Sequence, residues 1–119
     1  MITRLVRKPV PAALPSIGED ESARLADMFR LLGDPSRLRI LLACLDRPTN
    51  VGAIAGGTGL SVSLVSHHLR LLRAARLVRS TRQGKQVYYQ GADEHVRCVI
   101  QDMVAHLGEP DDADEDHQA

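Results

Sequence analysis

Residues 51–90 restrict the fold more than any other part of this chain. They predict a short helix, a glycine turn, a longer helix and a hairpin in direct succession. The short helix is expected over Val51–Thr58, the turn at Gly59 and the longer helix over residues 62–75. Each helix follows a suitable N-cap, which is Asn50 for the first and Ser61 for the second. This order is typical of a helix-turn-helix.

The longer helix separates apolar residues from hydrogen-bonding residues. Val65, Leu69 and Leu72 recur at helical spacing and predict its buried face. The other face carries serines, a histidine and arginines, namely Ser63, Ser66, His67, Arg70 and Arg73. Short hydroxyl side chains let the backbone approach base edges, whereas arginine suits phosphate oxygens. We therefore expect the serines and His67 to read bases and the arginines to contact phosphate, with His68 in a packing or edge position.

After this helix, two β-prone runs flank Gln83-Gly84 and predict a β-hairpin. Its tip carries Arg82, Gln83 and Lys85, while Tyr88 and Tyr89 are expected to pack within the sheet. A hairpin after a recognition helix is a wing, and its cationic tip can contact the DNA backbone or the minor groove. The predicted fold class is mainly α with a small β-hairpin, a dimeric winged helix-turn-helix.

The charge distribution indicates a nucleic-acid partner, although the formal net charge is zero. Residues 47–92 contain seven basic residues and no acidic one, whereas residues 93–119 contain nine acidic residues and one basic residue. A cationic centre is the electrostatic footprint of a nucleic-acid binder. The alternative, a solvated basic face, explains the complete absence of acidic residues less well.

Two helices are predicted before this region. The first covers Glu19–Leu32, ends at Gly33 and carries an apolar stripe of Leu25, Met28, Phe29 and Leu32. Asp34 is a suitable N-cap for the second, with Pro35 at its first position. This second helix is apolar nearly all round and is expected to be central to the core, through Leu38, Ile40, Leu41, Leu42 and Leu45.

The length of 119 residues fits one domain, and a domain this small gains from burying surface in a dimer. Residues 19–109 are predicted to form it, between a flexible arm at 1–18 with Arg4, Arg7 and Lys8 and a disordered acidic tail at 110–119. No apolar run approaches 18 residues, and no apolar signal-peptide core is present, so a cytoplasmic protein is expected. The two cysteines, Cys44 and Cys98, are expected to be small buried hydrophobes.

The segment from Asp93 to Glu109 contains four potential metal ligands, which are Asp93, His95, His106 and Glu109. Apolar residues between them recur at spacings of three and four, which predicts a helix ended by Pro110. The two histidines are eleven positions apart, so both project from nearly the same face, but their backbones lie about 16 Å apart. Because a metal–nitrogen bond is only about 2 Å long, one copy of this helix cannot close all four ligands around one ion.

Two copies can do so. If the helix packs antiparallel against its own twin, His95 of one chain lies beside His106 of the other. His106 and Glu109 share a helix face, whereas Asp93 converges with His95 only at or just before the helix start. Two symmetric sites result, each with nitrogen and oxygen ligands that suit tetrahedral zinc, with cobalt or nickel as competitors.

Each of these residues also has a structural interpretation. Asp93 is a suitable N-cap, His95 can be a surface histidine and Glu109 can be one more charge beside the acidic tail. His117 in that tail is an additional potential ligand, although a solvated histidine is the more frequent case in such a segment. Spacing alone leaves the metal interpretation and the structural one open.

The sequence resembles the ArsR/SmtB family of bacterial metal-responsive winged-helix repressors over about residues 20–109. The resemblance rests on LLGDPSRLRILLAC, LSVSLVSHHLRLLRAARLV, RQGKQVYYQ and the spacing Asp93-x-His95-x10-His106-x2-Glu109. It implies a zinc site formed by those four residues on the fifth helices of a dimer. It also implies that the metal-free dimer represses an efflux or storage gene and that metal releases it from DNA.

The sequence departs from the family at a second, thiolate-based site. Many relatives carry cysteines on the third helix, where PTNVGAIA has none, so arsenic, cadmium or lead sensing through that site is not expected. Redox sensing through Cys44 and Cys98 is a minor alternative, because their positions do not match the cysteine pair of redox-sensing relatives well. A DNA-binding regulator without a metal effector is another. An enzyme is not expected, because four protein ligands leave no open metal position for water or substrate.

Overall fold

The computed structural model of this chain describes residues 16–110. The basic residues predicted for the arm (Arg4, Arg7 and Lys8) and His117 of the predicted tail lie outside the described residues. Within residues 16–110 the chain forms five helices and three short strands. None of the helices in this part of the chain is long and apolar enough to cross a bilayer.

The first helix has the predicted bounds, and the second begins with the chemistry expected from the sequence. Helix α1 covers Glu19–Leu32, the predicted bounds, and α2 covers Pro35–Cys44. The side chain of Asp34 caps α2 by accepting a hydrogen bond of 2.9 Å from the backbone N–H of Arg37. Pro35 occupies the first helical position, where an amide hydrogen would have no helical partner. The start of α2 is therefore confirmed.

The helix-turn-helix consists of α3, Val51–Thr58, and α4, Val62–Ala74. Side-chain oxygens of Asn50 and Ser61 cap the two helices, accepting backbone N–H bonds of 2.7 and 3.1 Å. Gly59 ends α3 in the left-handed conformation, with φ of +78°. That conformation is costly for residues with a Cβ, so the glycine permits the tight turn into α4. These features confirm the prediction for this segment.

The hydrophobic core lies where α2, α3 and α4 pack together. Its fully buried side chains are aliphatic or small, namely Ile40, Leu41, Cys44, Ile54, Val65, Leu69 and Leu72. The predicted buried face of α4 is therefore confirmed. Helix α2 is less completely buried than predicted, because Leu42 is 42% exposed. It packs against α3 and α4 on one side and leaves the other side partly open.

A three-stranded antiparallel sheet completes the domain. Its strands are β1, Thr49–Asn50, β2, Val78–Gln83, and β3, Gln86–Gly91, in the spatial order β1-β3-β2. Strand β1 was not predicted, because two residues are too few to show an alternating pattern. It pairs with Tyr88 and Tyr89 of β3, and Tyr89 also packs against the core. The expected sheet packing of the tyrosines is thus confirmed.

The hairpin turn lies one residue later than the sequence indicated. Gln83 pairs with Gln86, so Gly84 and Lys85 form the turn, and Gln83 belongs to the strand. Gly84 has a φ of +64°, and Lys85 does not share this positive φ. A positive φ at the first central position alone is typical of a type II′ turn. The prediction was wrong by one residue because Gly84 can occupy either central position of a hairpin turn.

Helix α5 covers Glu94–Leu107. Asp93 lies immediately before it, as predicted, and its Oδ1 accepts a 3.0 Å hydrogen bond from a backbone N–H of the first turn. The helix ends at Gly108, whose N–H bonds back to carbonyls of the last turn. The prediction that Pro110 ends it was wrong, because the chain has left the helix two residues earlier. Glu109 therefore lies just past α5.

The two cysteines differ in environment. Cys44 is fully buried on α2, as predicted, and burial raises the pKa of its thiol to about 12. The prediction was wrong for Cys98, which is exposed on α5 with its Sγ 3.6 Å from Oε2 of Glu94. Cys98 therefore lies on a side of α5 that does not pack against the core.

Helices α1 and α5 leave a large apolar surface uncovered. Ile100 anchors α5 in the core, and Met28 and Leu32 pack α1 against it. Six other large apolar side chains of the two helices are exposed, namely Leu25, Phe29, Val99, Met103, Val104 and Leu107. Apolar side chains exposed in this number on two helices are candidates for burial against a partner.

Candidate DNA-binding surface and metal centre

The outer face of α4 presents the side chains that the sequence assigned to DNA. Ser63, His67, Arg70 and Arg73 are exposed, and Ser66 is partly exposed. The first four of these residues in chain order, Ser63, Ser66, His67 and Arg70, are separated by three, one and three positions. They therefore lie on one helix face. Because the opposite face is buried in the core, this face points outward from the domain. The structure therefore brings the predicted base-reading residues together on one surface.

His68, on the same helix, points inward. Its Nδ1 accepts a 3.2 Å hydrogen bond from Nε of Arg37, whose Nη1 also donates to the carbonyl of Leu31 at 3.1 Å. A ring nitrogen that accepts must be unprotonated, so His68 is neutral, with its hydrogen on Nε2. Burial lowers the pKa of His68, and the positive charge of Arg37 lowers it further. The predicted packing position of His68 is confirmed.

The sequence did not reveal Arg37 as the partner of His68. The two residues are 31 positions apart, and neither local spacing nor composition connects them. Through this arginine, the end of α1 and the start of α2 are tied to the recognition helix. Arg37 therefore helps to fix the direction in which α4 presents its outer face.

The wing carries a second cluster of positive charge. Arg82 and Lys85 are exposed at and beside the Gly84 turn. Within residues 16–110, neither side chain forms an ion pair, whereas Arg30 and Arg97 are paired with acidic residues of their own helices. Unpaired surface cations retain their full charge for a polyanion such as DNA.

The four potential metal ligands form two pairs at opposite ends of α5. At the start, Asp93 caps the helix and His95 is exposed in its first turn. At the end, Nδ1 of His106 lies 3.4 Å from Oε1 of Glu109, and both side chains are largely exposed. Although the chain leaves the helix at Gly108, the side chain of Glu109 therefore stays beside that of His106. This pair is brought together by the structure of one chain.

The two pairs are not brought together with each other. The histidines are eleven helical positions apart, which corresponds to about 16 Å. Within residues 16–110, no three histidine, cysteine or acidic side chains of one chain form a group that could hold a metal ion. The donor chemistry nevertheless fits zinc, because imidazole and carboxylate are usual zinc ligands and all four side chains are open to solvent.

Comparison with known proteins agrees with the winged helix-turn-helix architecture. Residues 34–80, from the α2 cap through α4 into β2, match the family model described as bacterial regulatory protein, arsR family. The chain is similar to a solution NMR structure of the homodimeric winged helix-turn-helix domain of a possible ArsR-family regulator from Mycobacterium bovis. The TM-score is 0.68 at 26% identity, covering 79% of this chain and 90% of the other.

Two relatives are more similar in sequence. The transcriptional repressor SmtB homolog of Synechocystis sp. is 41% identical over 92 residues, which are 77% of this chain and 70% of the relative. The HTH-type transcriptional regulator CmtR of Mycobacterium bovis is 42% identical over 86 residues, which are 72% and 73% of the two chains. The chain therefore belongs to the arsR family of bacterial regulatory proteins and is a winged-helix, DNA-binding transcription regulator, not an enzyme.

Proposed function

We propose that this chain is a metal-responsive transcriptional repressor. Its metal-free homodimer binds operator DNA, and zinc at sites shared between two α5 helices releases it, with cobalt or nickel as alternatives for the same donors. One observation carries the proposal: the donors stand in two exposed pairs at opposite ends of α5. Pairs about 16 Å apart become complete sites only when the missing half comes from another chain.

A homodimer formed through α1 and α5 supplies that other chain. The exposed apolar surface of these helices includes Phe29 at 62% and Leu107 at 83% exposure, which favours its burial against a partner. The similar domain from M. bovis is homodimeric, which supports the same assembly here. In an antiparallel α5 pair, Asp93 and His95 of one protomer lie beside His106 and Glu109 of the other.

The same two-fold symmetry positions the recognition helices. Two copies of α4 in one dimer would enter successive major grooves of a pseudo-palindromic operator, about 34 Å apart. Ser63, Ser66 and His67 would contact base edges, since hydroxyl and imidazole groups can donate or accept. Arg70, Arg73, Arg82 and Lys85 would contact phosphates and supply most of the salt-dependent affinity.

The regulation follows from linkage between the two sites. Metal can release DNA only if it binds the dimer form with low DNA affinity more tightly than the form with high DNA affinity. DNA then lowers the affinity for metal by the same factor by which metal lowers the affinity for DNA. The ligands lie across the dimer axis, so holding them together fixes the relative orientation of the two DNA-binding domains. Because His95 and His106 must be deprotonated to bind metal, the response weakens at low pH.

The proposal is tested by measuring DNA affinity with and without zinc. The probe is a duplex that the protein itself selects from a random-sequence pool, with a label for fluorescence anisotropy. Zinc should lower the affinity of the unmodified protein and leave that of the His106→Gln variant unchanged. Cys98→Ser is a matched control on the same helix, because Cys98 is exposed but is not one of the four donors.

Each result separates the alternatives. If zinc still abolishes DNA binding by His106→Gln, the proposal that zinc acts through the ligands on α5 is wrong. If zinc has no effect on the unmodified protein, the chain is a DNA-binding regulator without this effector. Loss of the zinc response in Cys98→Ser would favour thiol sensing. The burial of Cys44 disfavours thiol sensing through that residue, because a thiol with a pKa of about 12 is not a thiolate at neutral pH.

A further inference from the structure

Asp46, in the loop after α2, accepts hydrogen bonds from two separate parts of the fold. Its carboxylate Oδ1 accepts a 2.7 Å bond from Nε2 of Gln101 on α5. Its backbone carbonyl accepts a 3.2 Å bond from Nε2 of Gln90 on β3. A single residue therefore joins the helix that carries the metal ligands to a strand of the wing.

The connection continues across the hairpin. Oε1 of Gln90 accepts a 3.1 Å bond from Nη2 of Arg79, its cross-strand partner on β2. Arg82, at the cationic tip, lies three residues further along the same strand. We call this series of hydrogen bonds the α5–wing relay; its members are Gln101, Asp46, Gln90 and Arg79.

The backbone around Asp46 is held against the end of β3. The N–H of Gly91 donates to the carbonyl of Leu45 at 3.3 Å. The approach is so close that a Cβ on Gly91 would lie 2.9 Å from that oxygen. Asp46 therefore cannot shift far without carrying the base of the wing with it.

Gln101 is well placed to report a movement of α5. It follows Ile100, the buried anchor of the helix, whereas Met103 and Leu107 beyond it are exposed. Gln101 lies about 140° around the helix axis from His106, so the relay and the metal ligands occupy different sides of α5. A rotation of α5 about Ile100 would therefore displace Gln101. Gln101 would not have to take part in metal binding for this to happen.

We propose that Asp46 is a positioning residue that transmits a displacement of α5 to the wing through Gln90 and Arg79. The inference rests on the proposed function, because α5 is the helix that metal is proposed to reorient. It adds a defined route by which that reorientation changes the position of Arg82 and Lys85. Gln101 and Gln90 each donate a hydrogen bond to Asp46, and the route requires that they act on the wing as one unit.

A metal-free experiment tests the relay directly. Amide hydrogen exchange of residues 78–91 is measured for the full chain, for Gln101→Ala, for Gln90→Ala and for the double variant. Loss of one exposed hydrogen bond should speed exchange by about 2- to 10-fold. If both side chains act through Asp46, the double variant should resemble Gln90→Ala rather than multiply the two single effects.

The control is Asp102→Ala, because Asp102 neighbours Gln101 but makes no side-chain hydrogen bond within residues 16–110 and should leave the wing unchanged. Gln101→Glu is a second test variant that preserves size but places a carboxylate against Asp46, so it should speed exchange at least as much as Gln101→Ala. Unchanged wing exchange in both Gln101 variants, or multiplicative single effects, would overturn the relay.

A second arm measures the effect of zinc on affinity for the selected duplex. Gln101→Ala should bind zinc like the unmodified protein but show a zinc effect on DNA smaller by about 2- to 10-fold. An undiminished zinc effect would overturn the inference. If the unmodified protein shows no zinc effect, the proposed function fails, whereas the exchange measurements still decide whether the relay exists.

Discussion

The substitution Arg82→Gln tests how the chain holds DNA, because it removes one unpaired charge from the wing tip. In the proposed homodimer, four exposed cations of each protomer are assigned to phosphate, which makes eight in all; they are Arg70, Arg73, Arg82 and Lys85. Each phosphate contact contributes about −0.9 to the slope of the logarithm of the binding constant against the logarithm of salt concentration. The expected slope for the unmodified dimer is therefore about −7.

Arg82→Gln removes two of the eight contacts, one from each protomer. The slope should become less steep by about 2, and the loss of affinity should be nearly the same for every DNA sequence. Fluorescence anisotropy with the selected duplex, over a series of salt concentrations, measures both quantities. The fold should not change, because Arg82 is exposed and no packing depends on it.

Arg30→Gln is the matched control. It also removes one positive charge, but Arg30 lies on α1 in an ion pair with Asp27 and is not assigned to DNA. Its salt slope should equal that of the unmodified protein. If Arg82→Gln leaves the slope unchanged, or if Arg30→Gln reduces it equally, the wing is not in contact with phosphate.

Two stability predictions follow from the packing and are checked by urea unfolding. Gly91→Ala forces a Cβ to within 2.9 Å of a backbone oxygen and should cost about 1–3 kcal/mol. Gly56→Ala, in the open part of α3, should instead raise stability by about 0.5–1 kcal/mol. If both variants changed the free energy of unfolding in the same direction, the packing described here would be contradicted. His68 has a pKa lowered below its ordinary 6.5, so the unfolded chain takes up this proton first as the pH falls. The contribution of neutral His68 to the free energy of unfolding is therefore complete above pH 6.5 and is lost at lower pH. His68→Gln keeps an acceptor for Arg37 and should reduce this loss; an unchanged pH dependence would refute the role of His68.

Local chemistry explains which parts of the fold were predictable. The caps Asp34, Asn50, Ser61 and Asp93 act within three residues, so the start of each helix after α1 is encoded by its neighbours. The glycine turn was predictable for the same reason. The periodicity of apolar residues then identified the buried face of α4.

The parts that were missed depend on contacts distant in sequence. Strand β1 exists because Thr49 pairs with Tyr89, and two residues alone carry no pattern. The bond between Arg37 and His68 spans 31 residues, and that between Asp46 and Gln101 spans 55. Such pairings depend on how the helices pack, which no local signal specifies.

The candidate metal centre lies between these cases. The sequence proposed four ligands for it and, from the rise per residue of a helix, excluded one chain as the complete site. The structure of one protomer holds His106 beside Glu109 and leaves Asp93 and His95 at the far end of α5. The sharing of sites between protomers stays a prediction, since a single chain contains only the two halves.

Mixing two inactive variants tests that sharing most directly. One protomer carries Asp93→Ser with His95→Gln, and the other carries His106→Gln with Glu109→Gln, so neither homodimer has a complete site. An equal mixture allowed to exchange subunits should contain one complete site in each mixed dimer and regain about one zinc ion for every two dimers. Cobalt in that site should show the absorption spectrum of tetrahedral coordination. A mixture that binds no more metal than its separate components would contradict a site shared by two α5 helices.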